Sequence, residues 1–301
     1  MDFFERIQRI NDGIPVDTCV SLDKLTTLRV GGQADYFAEP TNEDQVALLL
    51  REAKEAGVPV LLMGNGSNLL VRDGGFRGLV IRLGKSFSRI ERRENCLYAQ
   101  AGALLSVLSR QAQENGLTGL EFAQGIPGSV GGGVYMNAGA YGGELSKTVA
   151  FVRVLDGETV RDIPGSEMNF SYRHSRAMEK AWLILGAQFC LTPGDPDGIE
   201  AAMRDYAARR REKQPLEYPS AGSFFKRPAG HFAGALIEGA GLKGLSVGGA
   251  QVSEKHAGFL INKGGATAAD FLSLMEQVQT RVMEKYSVQL EPEVRIAGED
   301  T

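Results

Sequence analysis

Eight glycines fall within the nineteen residues from Gly125 to Gly143, and this tract constrains the fold more than any other feature of the 301-residue chain. Glycine loses more backbone freedom on folding than any other residue, so a plain connector of this composition would be costly. Main chain that closely approaches a ligand accounts for the density better, with structural turns as the alternative. Within the tract, Gly128-Ser129-Val130 and Asn137-Ala138-Gly139 combine bare backbone with short polar side chains suited to phosphate contacts.

A second glycine loop, Gly64-Asn65-Gly66-Ser67-Asn68, sits between the apolar runs Val58–Met63 and Leu69-Leu70-Val71. Glycine lets the chain turn with positive φ, and consecutive N–H groups can then point into one anion-binding concavity. It is not a dinucleotide fingerprint, because Leu69 stands where the third glycine of GxGxxG is needed, nor a P-loop, because no GK[ST] follows. Alone, this loop reads equally as a tight turn. Two such loops together suit a pyrophosphate held between them.

Composition narrows the rest. The chain is 43% hydrophobic, and 33 basic against 37 acidic residues give a net charge of −4. The basic residues form no long block, which argues against a nucleic-acid partner. Cys19, Cys96 and Cys190 are far apart in sequence and odd in number. That pattern suits a reducing compartment better than a disulfide framework. With three histidines and no HExxH, a metal centre is not expected. The N-terminal residues carry no secretory pattern and no run is long enough for a membrane span. A cytoplasmic location without membrane insertion is therefore expected.

The pattern predicts mixed α and β structure. Phe3, Phe4, Ile7 and Ile10 share a helical face. Thr41 with Asp44 reads as a short-armed capping box opening a helix striped by Val46, Leu49, Leu50 and Ala53 and ended by Gly57. Val58–Met63 reads as a buried strand and Gly78–Leu83 as another. Leu97–Ala101, Val149–Leu155, Glu158–Ile163 and Trp182–Leu191 read as strands, with a hairpin at Asp156-Gly157, and a helix spans about 103–115. Residues 195–213 read as a helix leading to a last segment, where Thr267 and Asp270 form a second capping box ahead of Phe271, Leu274, Met275, Val278 and Val282. The expected division is 1–83, 84–200 and 201–301.

Three further motifs carry potential chemistry. Phe170-Ser-Tyr172-Arg173-His174-Ser-Arg176 gathers cationic side chains that suit a carboxylate or phosphate, or equally a solvated surface. Ala221-Gly222-Ser223-Phe224-Phe225-Lys226 sets a hydroxyl between glycine and two aromatics, without a GxSxG elbow. Leu290-Glu291-Pro292-Glu293-Val294-Arg295 sets two carboxylates beside a rigid proline, which by itself reads as a strand edge.

Taken in order, TTLRVGG, GNGSN, GIPGSVGGGVYMNAGAYGGE, SYRHSR, AGSFFK and EPEVR resemble the UDP-N-acetylenolpyruvoylglucosamine reductase family over nearly the whole chain. The resemblance implies an α+β, three-domain flavoprotein: two N-terminal domains forming a PCMH-type FAD-binding fold and a C-terminal α+β substrate domain. It implies non-covalent FAD, NADPH as hydride donor, and reduction of an enolpyruvyl nucleotide sugar in peptidoglycan precursor synthesis. It assigns catalysis to Arg173, Ser223 and Glu293. Arg173 would hold the substrate carboxylate, Ser223 would donate a proton, and Glu293, protonated or hydrogen-bonded, would steady the enolate. Gly64, Asn65, Gly66, Ser67, Asn68, Gly128, Ser129, Val130, Asn137, Ala138 and Gly139 fall on its flavin loops. Tyr172, Lys226, Gln251 and Asn262 are substrate-contact candidates, and Lys226 could also assist Ser223. SYRHSR leads into AGSFFK within about fifty residues. That leaves no room for the substrate-covering tyrosine segment of some members, so the chain resembles the shorter subtype.

Overall fold

The computed structural model describes residues 3–10 and 13–301, and the chain forms two compact units that interleave in sequence. One unit comprises residues 1–17, 36–65 and 78–210; the other comprises 18–35, 66–77 and 211–301.

The first unit contains two hydrophobic cores. One is built on the helix Glu43–Glu55, which buries Val46, Leu49 and Ala53 together with Leu79 and Ile81 of the strand Phe76–Arg82. The strand Val60–Met63 runs parallel to that strand. It is shorter than expected and only Met63 is buried, while Leu62 is exposed. The helix start also differs. Asn42, not Thr41, is the N-cap, and its side chain accepts from the Gln45 N–H at 2.9 Å. Gln45 reaches back to the Thr41 N–H at 2.8 Å, a long arm doing what the short Asp44 cannot. At the N-terminus, the helix Phe3–Ile10 buries Phe3 and Ile7 as the spacing predicts, and the side chain of Ile10 lies outside what is described.

The second core lies on a five-stranded antiparallel sheet, in the order Thr159–Pro164, Val149–Asp156, Leu183–Cys190, Cys96–Gln100, Ile90–Arg93. The expected hairpin is present, with Gly157 first in its two-residue loop at φ +61°, a position that suits glycine. This sheet corrects the reading of the cysteines. Cys96 and Cys190 stand directly opposite each other on adjacent antiparallel strands, with Cα atoms 4.1 Å apart and their sulfurs bonded. Separation of 94 residues in sequence says nothing about separation across a sheet, and only Cys19 is free.

The second unit has its own core, formed by the helix Ala268–Tyr286 against the sheet Ser220–Ser223, Phe259–Asn262, Ala250–Val252, Ser246–Val247. The Thr267/Asp270 capping box is present, and Phe271, Leu274, Val278 and Val282 are fully buried. A parallel pair, Leu69–Val71 with Arg295–Ala297, ties the residues after the first glycine loop to the C-terminal segment.

Candidate functional site

In the first unit, Gly64 and Asn65 of the shorter glycine loop meet the longer tract. The Asn65 side-chain amide donates to the Pro127 carbonyl at 2.6 Å. A Cβ on Gly64 would fall 2.1 Å from Ser129 Oγ, so only glycine allows this approach with the hydroxyl where it is. Ser129 is the N-cap of the short helix Val130–Tyr135, yet its hydroxyl makes no capping bond. It is 2% exposed and has no hydrogen-bond partner. Buried hydroxyls are nearly always satisfied, so this one marks a place for a ligand acceptor or donor.

Beside this loop lies a residue that sequence reasoning missed. The Arg210 side chain packs on Gly125, where a Cβ would come within 3.0 Å of its Cδ. Burial pushes the guanidinium below its usual range, and nearby Tyr141 opposes the shift. No carboxylate pairs with Arg210 among the described residues. Tyr141 itself stacks on Tyr206 with ring centroids 4.7 Å apart. Nothing in the run Arg209-Arg210-Arg211 marks the middle arginine as the one turned inward.

Two other glycines of the tract have a different origin. Cβ atoms at Gly131 and Gly143 would meet Ala101 Cβ at 2.8 Å and the Phe122 ring at 2.3 Å. These residues let the tract pack against its own protein.

Asn137, also in the tract, is 1% exposed and in the left-handed region at φ +43°. Its Nδ2 donates to the Ser171 carbonyl at 3.1 Å, and its Oδ1 accepts from the Ser146 N–H at 3.0 Å. Ser171 and His174 exchange two backbone hydrogen bonds of 3.2 Å, leaving Tyr172 and Arg173 as a two-residue tip. Arg173 sits at φ +56°, and its guanidinium carbon lies 4.9 Å from the centre of the exposed Tyr172 ring. A second tie runs from the buried Ser175 hydroxyl to the Tyr135 carbonyl at 2.7 Å.

In the second unit, Ser223 and Glu293 lie on neighbouring segments. Phe224, next to Ser223, donates its N–H to the Gly258 carbonyl, and its carbonyl accepts from the Glu293 N–H, both at 2.8 Å. Ser223 is exposed, and the preceding Gly222 has φ +77°. The Asn68 side-chain amide donates to the Glu293 carbonyl at 3.1 Å.

The expected help to Ser223 from Lys226 finds no contact, since its Nζ lies 3.3 Å from Glu291. Gln251 holds Ser246 Oγ at 3.0 Å within its own hairpin. Asn262 is buried and fully used: it donates to the Leu28 carbonyl and accepts from the Gly264 and Ala266 N–H groups. Its geometry is that of a structural link.

Against known proteins, residues 214–297 match the model of the UDP-N-acetylenolpyruvoylglucosamine reductase C-terminal domain, and residues 34–161 match an FAD binding domain. The chain is 52% identical to UDP-N-acetylenolpyruvoylglucosamine reductase of Agathobacter rectalis over 92% of each chain. It is 46% identical to that of Clostridium novyi, over 100% of this chain and 98% of the other. Among solved structures, the UDP-N-acetylenolpyruvylglucosamine reductase of Thermus caldophilus superimposes with a TM-score of 0.82 at 36% identity, over 94% of this chain and 99% of that one.

Proposed function

The chain belongs to the UDP-N-acetylenolpyruvoylglucosamine reductase family, and we propose that it reduces UDP-N-acetylglucosamine enolpyruvate to UDP-N-acetylmuramate with electrons from NADPH, for peptidoglycan synthesis in the cytoplasm. It is an FAD-dependent oxidoreductase of α+β fold. The observation that carries the reading is the buried, unpartnered Ser129 hydroxyl set against Gly64, where a Cβ would displace that hydroxyl. That pair fits a phosphate-bearing cofactor approached by bare backbone.

Gly64 to Asn68 and Gly128 to Val130 would hold FAD, with Ser129 Oγ donating to it. Asn137 to Gly139 keep a backbone role there. The half-buried Arg210, lacking a carboxylate, suits an electron-rich part of the same ligand. Those residues would hold FAD, whose chemistry when bound would be to relay hydride from NADPH to the substrate.

The protein's own work is to manage charge and a proton. Hydride arriving at the terminal carbon of the enolpyruvyl group leaves negative charge on the adjacent carbon and its carboxylate. Arg173, always cationic, would grip that carboxylate more tightly as charge grows. Ser223 would deliver the proton to the new carbanion, and Glu293, in its protonated form, would steady the enolate by donating a hydrogen bond to it. Tyr172, exposed and beside Arg173, would face the substrate, with Lys226, Gln251 and Asn262 as the other contact candidates. The bounds 1–83, 84–200 and 201–301 cut across the hydrophobic cores: Leu28 and Leu70 pack with Phe271 and Leu274, and Leu155 and Leu183 pack with Val46 and Leu49, although the number of cores, three, is that of the expected domains.

Purified protein supplied with NADPH and the enolpyruvyl nucleotide sugar should form UDP-N-acetylmuramate, detectable by mass, with one NADPH consumed per product. NADPH oxidation at the same rate with and without the sugar nucleotide, and no new nucleotide product, would contradict the assignment.

A further inference from the structure

Each glycine loop contributes one asparagine whose side chain is turned away from the loop and onto main chain that carries a catalytic group. In the first unit, Asn137 donates to the Ser171 carbonyl, one of the two residues that close the turn bearing Arg173. In the second unit, Asn68 donates to the carbonyl of Glu293 itself. Both contacts are long-range, spanning 34 and 225 residues of sequence. The Asn137 side chain is enclosed, and its amide is engaged at both ends, Nδ2 by the Ser171 carbonyl and Oδ1 by the Ser146 N–H.

From this we infer that Asn137 and Asn68 are positioning residues, which fix Arg173 and Glu293 in register with the loops that hold the flavin. The inference rests on the proposed function, since it presumes a flavin on those loops. The physical need is specific. Arg173 stands on a two-residue tip in a backbone region unfavourable to arginine, and such a turn keeps its shape only if its surroundings fix it. Asn137 supplies one fixing bond, and Ser175 a second through the Tyr135 carbonyl. Glu293 lies on an irregular stretch between the Phe225–Pro292 bridge and the strand Arg295–Ala297. There the Asn68 amide and the Phe224 carbonyl bind its two main-chain polar groups. An error of about 1 Å in such groups can cost roughly a hundredfold in rate.

Asparagine suits both places because it is short and carries a donor and an acceptor on one rigid plane. At Asn137 it also tolerates positive φ better than most residues. Aspartate would keep the acceptor but set a carboxylate oxygen against a carbonyl.

The test uses the flavin-loaded full chain and measures the two half-reactions separately by anaerobic stopped-flow. Asn137→Gly keeps the backbone conformation and removes the tie; Asn68→Ala removes the other. The expected result is reoxidation by the enolpyruvyl nucleotide slowed by at least about tenfold, with reduction by NADPH slowed far less. The two variants should also divide. Asn137→Gly should act mainly on KM, through the carboxylate grip of Arg173. Asn68→Ala should act mainly on kcat, through the enolate contact of Glu293. If Asn137→Gly does not fold, Ser175→Ala loosens the same turn and should give the same imbalance. Equal slowing of both half-reactions, loss of flavin, or parent-like reoxidation would each overturn the inference. A parent protein whose reduced flavin is not reoxidised by the enolpyruvyl nucleotide would instead overturn the proposed function.

Discussion

Ser129 holds its hydroxyl 2.1 Å from the point where a side chain on Gly64 would begin, although 65 residues separate them in the chain. The contact joins two glycine loops that look unrelated in sequence. It also predicts a coupled pair of mutations. Gly64→Ala must displace the Ser129 hydroxyl and should weaken FAD binding roughly ten- to hundredfold. Ser129→Ala alone should weaken it less, and in the double variant the penalty of Gly64→Ala should shrink. Fluorescence titration of the apoprotein with FAD measures all three, and simple additivity would contradict the coupling.

Ser223 stands exposed at the end of its strand. In the proposed mechanism, Ser223→Ala should reduce its flavin with NADPH close to the parent rate. Its reoxidation by substrate should fall by roughly 10²–10⁴-fold, the usual contribution of a general acid. Single-turnover reoxidation at the parent rate would remove Ser223 from the proton-donor role.

His256 gives a pH effect whose sign follows from its surroundings. Burial lowers its pKa from the ordinary 6.5, with Lys243 adding to the shift and Glu238 opposing it. The ring nitrogen Nδ1 accepts from the Gly258 N–H at 3.1 Å, and the ring packs edge-on to Phe259. The folded protein thus favours neutral His256, while the unfolded chain binds a proton more readily. The resulting stability is fully present above about pH 6.5 and is lost as pH falls towards and through the lower folded-state pKa. His256→Asn keeps an acceptor without the titration. Between about pH 7.5 and pH 5.5 its Tm should therefore fall less than that of the parent. An equal fall in both proteins would show that His256 does not contribute.

The Cys96–Cys190 pair predicts a thiol count. Before reduction the denatured chain should expose one reactive thiol, that of Cys19, and after reduction three. Three thiols without reductant would show that the two strands hold a dithiol.

Much of this molecule can be read from the chain because its signals are local. Thr267 and Asp270 cap a helix three residues apart, and Gly157 sits where a tight hairpin demands it. What fails to show is long-range. Cys96 and Cys190 become neighbours only through strand pairing, and Arg210 is distinguished from Arg209 and Arg211 only by the direction it faces. The glycine tract is an instructive mixture. Gly64 allows close approach to the Ser129 hydroxyl, as a ligand loop would need, but Gly131 and Gly143 yield space to Ala101 and Phe122. Density of glycine therefore overstates how much of the tract a ligand touches. Asn137 and Asn68 carry the same lesson, since their position in glycine loops conceals side chains that bond to main chain at Ser171 and Glu293.

The central claim is that flavin on these loops passes hydride from NADPH to an enolpyruvyl nucleotide sugar. Anaerobic absorbance of the flavin-loaded protein tests it in one cuvette. The yellow colour should bleach on adding NADPH and return on adding UDP-N-acetylglucosamine enolpyruvate, with no oxygen present. Bleaching that only oxygen reverses would contradict the account.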